Sequence, residues 1–165
     1  MPYATKFHRI NRVLPEAEAR VWESVADEVN SLPLDETEVI DLITIAYGGY
    51  TPLDGFLDEI DYRSVVRRAE LADGTPWPLV VTLSIDRVRR HELRAGQFVA
   101  LRSRSGALLG RLQITSIYRA NPDDSASQWF VGGPVDLVES ALGNAGIDLD
   151  YHTGLAGLIG AGRSL

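Results

Sequence analysis

Tyr47, Tyr50, Thr51 and Asp54 fall within one short segment that runs from Tyr47 through Gly48-Gly49 to Gly55. Three hydroxyls and a carboxylate on a segment stiffened by Pro52 are the equipment of a ligand-facing loop on a rigid scaffold. The same residues also suit plain architecture. Paired glycines permit positive φ and close backbone approach, and Leu53 and Phe56 would then plug a core. For catalysis, Tyr50, Asp54 and a cation such as Arg68 would have to face one cavity. Trp77, held between Pro76 and Pro78, reads either as a cap on a core or as a stacking platform. Arg87, Arg89, Arg90, His91 and Arg94 form the densest basic cluster, with Arg102, Arg104 and Arg111 following. His91 lies beside Arg90 and Glu92, a setting in which a carboxylate could tune a general base. A lone surface histidine is the commoner outcome. The candidate ligand-binding residues are thus Tyr47, Thr51, Arg68, Trp77 and Arg90, and the catalytic candidates are Tyr50, Asp54 and His91.

Other chemistry is excluded more firmly. The 165 residues contain no cysteine, so there is no thiol nucleophile, disulfide or thiolate metal site. His8, His91 and His152 are widely separated, and neither a metal nor a cofactor is expected. No apolar run approaches the ~20 residues of a membrane span. Met1 to Arg12 lacks the apolar region of a secretory leader, so a soluble, cytoplasmic protein is expected. Gly157 to Ser164 has phosphate-loop spacing, but Arg163 replaces the lysine and no helix is expected to follow.

The net charge of −7 conceals a strong asymmetry. Met1 to Asp61 carries 4 basic and 13 acidic residues, Tyr62 to Arg119 carries 11 and 4, and Ala120 to Leu165 carries 1 and 6. Fifteen of the 16 cations are arginine, the better planar clamp for phosphate and carboxylate. The acidic ends could pack over the basic middle, or that middle could form a concavity for an anion. Nucleic acid is disfavoured by the overall charge and by the lack of aromatics interleaved with the arginines. Phe98, the nearby aromatic, sits on a predicted strand where a core position is expected.

The elements that must position these residues follow from periodicity. Pro15 to Val29 reads as a helix with Val21, Trp22, Val25, Ala26 and Val29 on its apolar face. Ser31 to Leu34 reads as a proline-containing linker. Asp35 caps a second helix, in which Val39, Leu42, Ile43 and Ala46 share a face, and Gly48-Gly49 stops it. A third short helix is expected around Asp61 to Glu70. Strands are predicted at Leu79 to Ile85, Gln97 to Arg102, Leu108 to Tyr118 and Gln128 to Val131, with a hairpin turn at Ser103-Arg104-Ser105-Gly106. A short helix is predicted at Val135 to Leu142, ahead of a Gly/Ala-rich tail. The pattern is that of an α+β domain.

These residues carry a family resemblance. Asp41-Leu42-Ile43 and Tyr47-Gly48-Gly49-Tyr50-Thr51-Pro52-Leu53-Asp54-Gly55-Phe56-Leu57 resemble the hallmark of the N-terminal domain of ATP sulfurylase (sulfate adenylyltransferase). The resemblance continues through Asp61-Tyr62, Val65, Leu71, Asp73-Gly74, Trp77-Pro78 and Thr82-Leu83. It extends to Gly96, Val99-Ala100-Leu101, Gly106 and Val131-Gly132-Gly133-Pro134-Val135. It implies a PUA-like small β-barrel with N-terminal and flanking helices. Residues 1–34 would be an N-terminal helical segment, 35–142 the ATP-sulfurylase-type PUA-like domain and 143–165 the tail.

In that family a catalytic domain follows, and its Gln-x-Arg-Asn-Pro and His-x-x-His motifs hold ATP and sulfate. Neither motif occurs here. The sequence also departs from the family at Val80, where proline is usual, and at Arg119 to Gln128, which is short and lacks a His-Pro-Gly turn. The expectation is a stand-alone binding or accessory module without sulfate adenylyltransferase activity. Its partner would be a separate catalytic protein or an anionic small molecule. The alternative is a small enzyme of specialised metabolism that reuses the barrel pocket on an anionic substrate.

Overall fold

The computed structural model describes residues 8–144. His152 and the Gly157 to Ser164 motif lie outside the described residues, as does the tail beyond Asn144.

The helix α2 (Glu36–Ala46) starts where the sequence places it. The Asp35 side chain accepts from the Glu38 amide at 2.8 Å, and the Glu38 carboxylate accepts from the Asp35 amide at 3.0 Å. This reciprocal pair satisfies two amides that the first helical turn leaves without partners. Leu42, Ile43, Ile45 and Ala46 are fully buried, so α2 runs through the core rather than along its surface.

The helix α1 (Glu16–Val25) is shorter than its periodicity predicts and tightens into a 3₁₀ turn over Ala26–Glu28. Its buried stripe is Ala19, Trp22 and Ala26, while Val21 is 66% exposed. The Trp22 indole decides this rotation, because its Nε1 donates to the Gly110 carbonyl at 3.1 Å. A buried indole N–H must find an acceptor, and that requirement outweighs two exposed valines. The helix α3 (Glu59–Arg68) is capped by Asp58 and ends at Ala69 in the left-handed region, with φ 54°.

Ser31–Leu34, read as a linker, is the strand β1. It pairs in parallel with β4 (Phe98–Ser103), and Leu32 and Leu34 alternate into the core. Pro33 is tolerated because β1 lies at the end of the strand order. β2 is Gly55–Phe56, and β3 covers Leu83–Ile85 alone, not the whole run from Leu79. β4 and β5 (Leu108–Gln113) form the expected hairpin. The predicted strand Leu108 to Tyr118 is divided, its second part being β6 (Ser116–Arg119).

That division and the largest correction share one cause, the strand β7 (Trp129–Leu137). Val135 to Leu137 were expected to begin a helix, but they pair with β5 and bury Val135 and Leu137. The helix α4 (Glu139–Asn144) begins only afterwards. The first half of β7 pairs instead with β3 and β6. Gly132-Gly133-Pro134 marks the change of partner, and β2 pairs at Gly133 and Pro134. Gly133 has φ 149°, and a Cβ there would meet the Gln113 carbonyl at 1.9 Å. Three strands therefore approach at a point where only hydrogen fits, and the seven-stranded sheet curls around β7.

The main core lies between this sheet, α2 and the Tyr50–Leu57 segment, with Leu53, Phe56 and Leu57 inside it. A smaller cluster joins Leu14, Ala19, Trp22, Ala26, Ala100 and Val138 under α1. Phe98 departs from its expected core place and is 40% exposed, packed beside Trp22.

Candidate functional site

The segment from Tyr47 to Asp54 holds the fold together. Thr51 Oγ1 accepts from the Ile10 amide at 2.9 Å and donates to the Gly48 carbonyl at 2.8 Å. The Thr51-Pro52 peptide is cis. The Tyr50 ring is 1% exposed, and its hydroxyl donates to Asp41 Oδ1 at 3.1 Å. Trp77 meets that ring edge-on, with centroids 5.9 Å apart and planes at 84°. Trp77 thus packs in the core beside Tyr50, and its buried Nε1 has no hydrogen-bond partner among the described residues. Tyr47 points elsewhere, its hydroxyl donating to Glu139 Oε2 at 2.8 Å. Burial, and then the Glu139 carboxylate, push the Tyr47 hydroxyl pKa well above its ordinary value.

Asp54 borders a cleft of about 320 Å³ that also takes in Asp58, Asp61 and Thr115. Burial raises the Asp61 pKa, a hydrogen bond from the Ala72 amide opposes the rise, and Asp58, Asp73 and Asp54 add to it. The carboxylates have structural duties: Asp58 caps α3, and Asp61 fixes the Ala72 amide at 2.9 Å. Arg68 belongs to neither place. Its Nε lies 3.5 Å from Glu70, and its NH2 donates to Ser64 Oγ at 3.1 Å. Tyr50 in the core, Asp54 on the acidic cleft and Arg68 against Ser64 and Glu70 are therefore held by separate sets of contacts. Among the described residues no group of three histidine, cysteine, aspartate or glutamate side chains could hold a metal ion. No helix among the described residues is long and apolar enough to cross a membrane.

The basic middle divides in two. Arg102 pairs with Asp27 at 2.8 Å, Arg111 with Asp136 at 2.8 Å, and Arg89 donates to the Ser31 carbonyl at 2.6 Å. The other part gathers around Trp129. Arg90 stacks on the Trp129 ring with its guanidinium carbon 4.1 Å from the centroid, and Arg119 does so at 5.0 Å. Trp129 and Ile85 line a cleft of about 220 Å³ with Asp86, Arg87, Gln128 and residues 125–127. Arg87 donates to the Ser125 carbonyl and so ties the 120s loop across the cleft. Arg63 steadies the far side by donating to the Ala120 and Arg119 carbonyls, both at 2.6 Å. His91 sits exposed on the adjoining 3₁₀ turn, Arg89–Glu92.

Sequence reasoning reached Arg87 and Arg90 but missed Arg119 and Trp129. They oppose each other directly across β6 and β7, with Ile85 on the other side of Trp129. Pairing the ends of the strands predicted on either side of the Arg119 to Gln128 connection would have brought them together.

Comparison with known proteins bears on the whole of this architecture. The PUA-like domain family model matches residues 2–139. A sulfate adenylyltransferase of Synechocystis sp. is 39% identical over 121 residues, covering 73% of this chain and 31% of that protein. Another, from Trichodesmium erythraeum, is 37% identical over 114 residues, covering 69% of this chain and 29% of that protein. The chain thus spans under a third of the length of these curated relatives. A solved structure described as a hexameric APS kinase from Thiobacillus denitrificans superposes with a TM-score of 0.67 at 27% identity. That match covers 79% of this chain and 25% of the other. Matched across nearly all of its described residues, the chain belongs to the PUA-like domain family and is related to the corresponding part of the sulfate adenylyltransferases.

Proposed function

We propose that this chain acts as a PUA-like binding or accessory module with no sulfate adenylyltransferase activity of its own, working in the cytoplasm beside a separate catalytic protein or an anionic ligand. The observation that carries the reading is the dispersal of the reactive side chains. Tyr50 lies in the core on Asp41, Thr51 fastens the Ile10 amide, and Arg68 is engaged by Ser64 and Glu70. A catalytic constellation needs nucleophile, base and charge stabiliser within hydrogen-bond reach of one reacting atom, and these groups share no such point. The family resemblance supports the same conclusion, because the motifs that hold ATP and sulfate are missing from the sequence.

The test is an assay of the purified chain with ATP, magnesium and sulfate, following pyrophosphate release. The expected result is release no faster than in the protein-free control. Turnover that scales with protein concentration overturns the reading.

A further inference from the structure

We draw no further inference here: the strongest candidate, the groove of about 550 Å³ between the start of α1 and α4, sets Leu14 and Ala19 beside the carboxylates of Glu16, Glu23 and Glu139, and nothing in the structure shows what covers it.

Discussion

Glu38→Ala is expected to destabilise the protein by about 2–4 kcal/mol, because one carboxylate ties the start of α2 to β3. Glu38 is 8% exposed. Its Oε1 accepts from the Asp35 amide at 3.0 Å and its Oε2 from the Ser84 amide at 2.9 Å. Alanine leaves both amides without an acceptor, at about 1–3 kcal/mol each, and the relief of a buried charge offsets part of the loss. Glutamine keeps one acceptor oxygen and turns an NH₂ group toward the other amide, so Glu38→Gln is expected to lose about half as much.

The pH dependence separates this account from a simple packing loss. Burial raises the Glu38 pKa above its ordinary 4.5, against the lowering influence of the two amide hydrogen bonds. A raised folded-state pKa means that the native protein binds this proton more readily than the unfolded chain does. The resulting stability is complete below about 4.5 and is lost as pH rises through the folded-state value. The advantage of the native protein over Glu38→Gln should therefore grow as pH is lowered from neutral and level off below that point. Urea unfolding followed by circular dichroism across this range measures both quantities. A loss below about 1 kcal/mol for Glu38→Ala, or a native advantage that grows with rising pH, would refute the reasoning.

Two further substitutions contrast the crowded glycine of the β7 junction with an open one in the β4–β5 turn. Gly133→Ala places a Cβ 1.9 Å from the Gln113 carbonyl and should cost more than about 3 kcal/mol or prevent folding. Gly106→Ala, at φ 92° with open space around it, should cost only about 1–2 kcal/mol, and urea midpoints distinguish the two. Tyr118→Phe removes a buried hydroxyl that donates to the Leu57 carbonyl at 2.6 Å. The expected loss is about 1–2 kcal/mol in the same assay.

What the sequence discloses follows the range of the interactions involved. The start of α2 is legible because Asp35 and Glu38 answer each other across three residues. The curled sheet is not. Ser31 to Leu34 looks like a linker until Leu32 and Leu34 are seen facing the core beside β4. Gly132-Gly133-Pro134 looks like a break, and only the approach of the Gln113 and Gly55 backbones explains why a continuous strand needs those residues. The Tyr47 to Asp54 segment shows the limit most clearly. Its residue types suit a surface loop as well as a core plug, and the choice for Tyr50 is made by Trp77 and Asp41. The basic cluster brings Arg90 to notice from the sequence, but not its place on the Trp129 ring. Arg119 and Trp129 needed the β6–β7 register as well.

The same register explains how a chain of net charge −7 keeps guanidiniums that no carboxylate neutralises. Arg111 and Arg119 come from successive strands, and both oppose β7. Opposite Arg111 stands Asp136, which also takes Arg12 at 3.1 Å, so the end of β7 nearest the acidic C-terminal third neutralises two cations. Opposite Arg119 stands Trp129. An indole attracts a guanidinium through its ring face and cancels none of its charge. Arg90, brought to the same ring by the 3₁₀ turn, adds a second cation where the strand supplies no acid. The acidic ends therefore do pack over part of the basic middle, and what they leave uncovered is set by a single choice of partner along one strand. Exchanging the partners shows the consequence. With a carboxylate opposite Arg119, the pair would close on itself as it does at Arg111.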